Sequence, residues 1–191
     1  YSSGIFLDQR LNRRWVGEMT RPGDRILNTF AYTGGFSVMA ALAGAETTTA
    51  DLSKTYLNWT WDNFSLNGLD PAGHHGVKGD VFEWLRTFAR QGRTFRGIVL
   101  DPPTFSRSGK ATFQTDRDYA DLATLAARLI EPGGWMLCCA NTHRLSEEKF
   151  QSDVIQGVKV PRRRVVSCEN RSMPPEFRSD EYLKSLFVVV E

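Results

Sequence analysis

The chain has 191 residues, of which 41% are hydrophobic and 24% charged, with a formal net charge of +2. That length suits one domain with a sizeable core, the composition is that of an ordinary globular protein, and no apolar run suggests a membrane span or secretory leader. The three cysteines, Cys138, Cys139 and Cys168, give no disulfide framework and point to a reducing, cytoplasmic setting, while +2 is too small a charge to demand a nucleic-acid partner.

In chain order, residues 25–30 read as a strand running into Asn28-Thr29-Phe30-Ala31-Tyr32-Thr33-Gly34-Gly35-Phe36-Ser37. Glycines between a strand and a helix let the backbone turn tightly and approach a ligand closely. The free amides at the start of the next helix, 36–43, would face that ligand. Neither G-x-G-x-x-G nor a Gly-Lys-Ser/Thr run is present, which argues against dinucleotide and triphosphate binding. The next strand, 47–50, ends on Asp51, near the interval of about 20 residues expected for a ribose-binding carboxylate. Helix 54–66 follows, then strand 75–78 and helix 81–90. Asp80-Val81 joins these two and offers an acceptor for an adenine amino group. Strand-end acids also serve as helix N-caps, so each alone is ambiguous, whereas three successive strand ends with this content point to an adenosyl ligand.

Strand 97–100 stops abruptly at Asp101-Pro102-Pro103-Thr104-Phe105, because proline removes a donor and fixes φ. An acid, nearby carbonyls and an aromatic face at such a strand end suit a flat, hydrogen-bonding substrate such as a nucleobase. A plain strand followed by a proline turn has the same pattern. In helix 118–129, Leu122, Leu125, Ala126 and Leu129 share one face, and Glu131-Pro132-Gly133-Gly134 is expected to end it. Strand 135–140 is followed by helix 147–155. Strands 164–168 and 186–190, joined across Met173-Pro174-Pro175, read as an antiparallel hairpin closing one edge. The regular alternation predicts an α/β fold, a mostly parallel seven-stranded sheet with helices on both faces. A single catalytic domain over 1–191 is expected. The start at Tyr1, directly before a motif, leaves room for an upstream domain.

Several motifs carry a resemblance. These are Gly4-Ile5-Phe6-Leu7-Asp8-Gln9-Arg10, Phe30-Ala31-Tyr32-Thr33-Gly34-Gly35, Asp51-Leu52-Ser53, Asn63-Phe64-Ser65-Leu66-Asn67-Gly68-Leu69 and Asp101-Pro102-Pro103-Thr104-Phe105. With them the chain resembles class I S-adenosylmethionine-dependent methyltransferases, and closely the bacterial large-subunit rRNA methyltransferases of the RlmI and RlmK type. The resemblance implies a Rossmann-like class I fold, S-adenosylmethionine as cofactor and rRNA, 23S rRNA in particular, as substrate. It places Asp8-Gln9-Arg10 near the methionine end of the cofactor, with Arg10 on the carboxylate. Solvated arginines on an amphipathic helix are the alternative for Arg10 and Arg13-Arg14. The expected cofactor residues are Gln9, Arg10, Phe30, Tyr32, Thr33, Gly34, Gly35, Asp51, Leu52, Ser53, Asp80, Val81 and Asp101.

The atom methylated depends on the nucleophile. Carbon-5 of a pyrimidine needs a cysteine thiolate to attack the ring first. In relatives that make 5-methylcytosine this cysteine lies just beyond the fifth strand, where this chain has Asn141. Cys138 and Cys139 fall inside the strand and read as small apolar residues. A two-residue shift would bring Cys139 to the site, and that alternative stays open. A ring nitrogen such as guanine N7 exposes its lone pair and needs no covalent catalyst, while an exocyclic amine needs its lone pair released from conjugation, which Asp101 and the prolyl-segment carbonyls could assist as acceptors. The absence of the cysteine, with Asp51-Leu52-Ser53-Lys54-Thr55-Tyr56, resembles the RlmK type and makes guanine N7 of 23S rRNA the leading expectation. Asp101 would orient the base, Phe105 would stack on it, and Pro102, Pro103 and Asn141 complete the expected catalytic set. Arg107, Lys110 and Arg117, and more remotely Arg162-Arg163-Arg164, are candidate RNA phosphate contacts. Methylation of a protein or small-molecule amine, and a non-catalytic adenosyl- or RNA-binding module, are the rival readings. His74-His75 lack a partner at metal spacing, so no metal site is expected, and His143 reads as a surface histidine. Trp59 and Trp61 read as packing residues.

Overall fold

A computed structural model describes residues 3–108, 111–177 and 182–191, except the side chains of 106–108, 111 and 112. Lys110 and the side chain of Arg107 therefore lie outside the described residues.

Among the described residues the strands are β1 (Arg25–Thr29), β2 (Glu46–Asp51), β3 (His75–Lys78), β4 (Phe95–Leu100), β5 (Phe105–Ser108), β6 (Ala111–Gln114), β7 (Ile130–Asn141), β8 (Val165–Arg171) and β9 (Leu183–Val190). The helices are α1 (Arg10–Met19), α2 (Gly35–Leu42), α3 (Lys54–Leu66), α4 (Val81–Arg90), α5 (Thr115–Ala127) and α6 (Glu147–Lys159). Seven strands form one sheet in the order β3-β2-β1-β4-β7-β9-β8. Only β9 opposes the common direction, pairing antiparallel with β7 and β8. This is the expected parallel sheet with an antiparallel edge. Its strand order reverses between β1 and β4, where open α/β sheets leave a ligand crevice at the carboxyl ends of the strands.

The core forms on both faces because the central strands are apolar on both. Leu27, Ile98, Leu100 and Met136 meet Leu85 and Phe88 of α4, Leu122 and Ala126 of α5, and Val154 of α6. Ile26, Val99 and Leu137 meet Trp15 and Val16 of α1 and Phe36 of α2, while α3 adds Phe64 against Val38 and Ala41. In β2 three buried threonines replace aliphatics, and their hydroxyls are satisfied. Thr47 bonds His74, Thr48 accepts from Arg93, and Thr49 pairs with Ser37. His74 is thus a structural partner of β2, and burial lowers its pKa.

Four elements differ from the sequence expectation. Arg10–Met19 forms α1, the amphipathic alternative for that arginine-rich stretch. A small antiparallel hairpin, β5–β6, follows the proline motif. The fifth helix spans Thr115–Ala127 rather than 118–129. Glu131-Pro132-Gly133-Gly134 does not end that helix. It lies within β7 as an irregularity between the pairs Phe95↔Ile130 and Gly97↔Trp135. A β-carbon on Gly97 would stand 2.3 Å from the Trp135 ring, so the indole occupies the space opposite a residue without a side chain.

Candidate active site

At the carboxyl edge of the sheet lies a cavity of about 1000 Å³, lined from the ends of β1, β2, β3, β4 and β7. The β1 loop is built under strain. Phe30 and Tyr32 hold left-handed φ values of 52° and 50°, a conformation that costs non-glycine residues on the order of 1–3 kcal/mol each. Hydrogen bonds hold it there. The Tyr32 amide donates to Asp51 at 2.8 Å and Asn63 donates to the Thr33 carbonyl at 2.8 Å. Gly34, at φ 77°, caps α2. A β-carbon on it would stand 2.3 Å from Thr60 of α3, so glycine is required twice over.

Asp51 accepts the amides of Tyr32 and Ser53, both at 2.8 Å, and lines the cavity with Leu52. Burial raises its pKa, against the lowering effect of those two bonds. Ser53 caps α3 by accepting from the Tyr56 amide and does not line the cavity. Asp80 caps α4 through the Glu83 amide, and both Asp80 and Val81 line the cavity. The acids after β2 and β3 are therefore caps or turn formers and cavity walls together.

The N-terminal segment crosses the glycine loop as a strap. The Gly4 amide donates to the Tyr32 hydroxyl, Thr33 donates to the Gly4 carbonyl, and Arg13 donates to the Phe6 carbonyl. Asp8, Gln9 and Arg13 line the cavity. One Asp8 oxygen accepts from the Tyr182 hydroxyl at 2.9 Å. The other is buried with no hydrogen-bond partner among the described residues. Arg10 is not brought to the cavity. Its guanidinium pairs with Glu176 at 3.0 Å on the outer face of α1, both side chains half-exposed. Arg13, one helical turn after Gln9, takes the inward position that the sequence reading gave to Arg10.

Asp101 sits where β4 ends. Burial, reinforced by the nearby Asp8 carboxylate, pushes its pKa up to about 7, opposed by the Gln9 side chain and by Arg13. The proline loop is pinned on both sides. Thr104 donates to the Asn141 carbonyl, and Thr115 donates to the Pro103 carbonyl at 3.0 Å. Pro102, Pro103, Thr104 and Asn141 line the cavity. Phe105 does not, and is 45% exposed at the start of β5. From the hairpin it is Phe113 that faces inward, 6.4 Å from Phe30 and 5.3 Å from Phe82 between ring centroids.

Cys138 and Cys139 are fully buried within β7, and burial raises both thiols. Neither lines the cavity, nor does any other cysteine among the described residues. Arg117 is held by Asp118 at 2.7 Å. Arg163 donates to the Ile130 carbonyl and Arg164 pairs with Glu191, at the edge of the sheet opposite the cavity. The sequence reading missed Arg13, Phe82 and Phe113 as lining residues and assigned no separate part to Asp8. The i, i+4 relation of Gln9 and Arg13 was the available signal for Arg13. Phe113 had none, because its place depends on the hairpin.

The sequence pattern of the S-adenosylmethionine-dependent methyltransferase family matches residues 1–187. The ribosomal RNA large subunit methyltransferase K of Neisseria meningitidis serogroup B is 40% identical over 180 residues, covering 93% of this chain and 48% of that protein. The ribosomal RNA large subunit methyltransferase K/L of Shewanella loihica is 35% identical over 190 residues, 98% of this chain and 25% of that protein. The chain thus spans between a quarter and about half the length of these relatives. Among solved structures, a methyltransferase complexed with SAH superposes with a TM-score of 0.87 at 30% identity, over 97% of this chain and 50% of the other. A SAM-dependent methyltransferase from Agrobacterium tumefaciens gives 0.78 at 25% identity, over 98% and 63%.

Proposed function

Because the chain belongs to the S-adenosylmethionine-dependent methyltransferase family, we propose that it methylates a base of RNA, with guanine N7 of 23S rRNA as the target. The observation that carries the choice of atom is the make-up of the cavity wall. Asp101 and Asn141 line it, while both cysteines of β7 are buried behind it. A thiolate route to carbon-5 of cytosine has no nucleophile among the described lining residues, whereas N7 needs none. The names of the relatives support large-subunit rRNA as the substrate class. A cytoplasmic setting follows from that substrate, and no helix among the described residues is long and apolar enough to cross a membrane.

The residues present fit the cofactor. Asp51 would accept from the ribose hydroxyls and Asp80 from the adenine amino group beside Val81. The bare Asp8 oxygen and the Arg13 guanidinium are complementary to an amino acid's ammonium and carboxylate. S-adenosylmethionine, when bound, supplies an electrophilic methyl group. The protein's own part is to position and to exclude water. Ionised Asp101 accepts from the N1–H and amino edge of guanine and so fixes the rotation of the base. Thr104, bonded to the end of β7, keeps the proline loop and Asn141 together on the other side. Phe105, outside the cavity, offers its ring to a base splayed out of the RNA. We treat 1–191 as one catalytic domain, with part of the grip on RNA supplied by an upstream domain of the kind its relatives' greater length allows.

The test is transfer of labelled methyl from S-adenosylmethionine to protein-free 23S rRNA with nucleoside analysis. 7-Methylguanosine is the expected product. 5-Methylcytidine would overturn the choice of atom, and unlabelled RNA beside labelled ribosomal proteins in a parallel assay would overturn the substrate class.

A further inference from the structure

Behind Asp101 three buried side chains form a line of hydrogen bonds that the chemistry above does not use. They are Gln9 of the turn before α1, Asn12 of α1 and Ser185 of β9, at 4%, 3% and 6% exposure. The Asn12 amide nitrogen donates to the Gln9 side-chain oxygen at 2.6 Å and to the Ser185 hydroxyl at 2.8 Å. An amide nitrogen has two hydrogens, so both are engaged. With its oxygen turned toward Asn12, the Gln9 amide has its NH₂ end left for Asp101, which lines the same cavity and whose pKa the Gln9 side chain lowers. The reverse orientation would set a carbonyl oxygen against a carboxylate in a buried place, leaving two acceptors without a donor.

We propose that Asn12, anchored to β9 through Ser185, is a positioning residue that locks the Gln9 amide with its donor end toward Asp101 and so holds that carboxylate as acceptor for the substrate base. This rests on the reading of Asp101 as the substrate acceptor. It also gives β9 a part in the site. The strand lies outside the β1–β4 crevice, yet reaches Asp101 through two side chains. The other titratable groups around Asp101 are Asp8 before α1, Arg13 of α1, Tyr119 of α5 and Cys139 of β7. Replacing Asn12 leaves Asp8, Arg13 and Tyr119 in place and removes a contact of 4.0 Å to the Cys139 thiol, which also meets the Gln9 oxygen at 3.9 Å.

The test is a carboxyl-carbon NMR titration of Asp101 in the chain without RNA, paired with methyl-transfer kinetics. Asn12→Leu and Gln9→Leu should each raise the Asp101 midpoint by about one pH unit, through loss of a hydrogen bond to the charged form. The double variant should go no further than either single one. At neutral pH kcat should fall about fivefold, in line with an ionised fraction that drops from about one half to about one tenth, with the cofactor KM of Asn12→Leu within twofold. Ser185→Ala should shift the midpoint the same way by less, and serves if Asn12→Leu does not fold. An unmoved midpoint in Asn12→Leu or, failing that, in Ser185→Ala, or additive shifts in the double variant, would overturn the proposal. A shifted titration in a chain that methylates no RNA would support the relay and overturn the substrate assignment instead.

Discussion

At the scale of single residues, Asp101 carries the clearest consequence. Its folded pKa of about 7 lies above the value of about 3.9 for an unperturbed aspartate, so the folded chain holds this proton more tightly than the unfolded one. Stability is then unaffected by this group below pH ~4, declines as pH rises from ~4 to ~7, and bears the full cost above that. Asp101→Asn should accordingly stabilise the cofactor-free protein at pH 8 by about 2 kcal/mol, a few degrees in Tm, and change little at pH 4. Melting curves at the two pH values check this. The same substitution should lower kcat by about 10²-fold and remove the rise of activity with pH through the neutral range. The two arginines of the N-terminal segment give a second contrast. Arg13 lines the cavity and Arg10 pairs with Glu176 outside it. Arg13→Ala should weaken cofactor binding about tenfold, the loss of one charge-assisted pair. Arg10→Ala should change it less than twofold, since exposed ion pairs contribute little. Calorimetric titration with S-adenosylmethionine separates them.

At the scale of elements, the strand ends and the turns after them decide the site. The α2 start tolerates no side chain at position 34. Gly34→Ala combines a left-handed φ of 77° with a 2.3 Å approach to Thr60, and should cost at least about 2 kcal/mol along with cofactor affinity. Thermal melting with and without ligand measures both. The β5–β6 hairpin is the other decisive element, because it lays Phe113 over Phe30 and Phe82. Truncating Phe113 to alanine should reduce cofactor affinity about tenfold through lost apolar contact and also lower the melting temperature, since Phe113 is a buried member of the main core. The strand ends were legible because an acid closes each of them: Asp51 after a β-branched threonine run, Asp80 just past a glycine, and Asp101 after an apolar run. The hairpin was not, because Phe105 and Phe113 belong to no alternating run long enough to mark a strand.

At the scale of the whole molecule, charge and reach would set the terms of the proposed RNA binding. A net charge of +2 predicts few phosphate contacts. The slope of log affinity against log salt should be near −2, so that raising salt from 50 to 200 mM costs about tenfold. Anisotropy with a labelled rRNA fragment gives that slope. A much steeper one would point to a basic surface that net charge conceals. The basic run at Arg162-Arg163-Arg164 lies opposite the cavity, with Arg163 and Arg164 already bonded to Ile130 and Glu191. It is therefore poorly placed to steer RNA to Asp101.

The sequence by itself determined the alternation of strands and helices, the antiparallel edge, and the acids and glycines that end β1 to β4. These are local properties, written in apolar runs and in residues whose backbone preferences stop them. Tertiary structure alone decided which of two arginines three positions apart faces the cavity, which of two phenylalanines in one hairpin turns inward, and that Cys139 is sealed off while Asn141 is not. Each of those depends on where a side chain's direction meets a neighbour distant in sequence: Glu176 for Arg10, Phe30 and Phe82 for Phe113, and Ser185 with Gln9 for Cys139. Such long-range meetings exist only once the sheet is assembled.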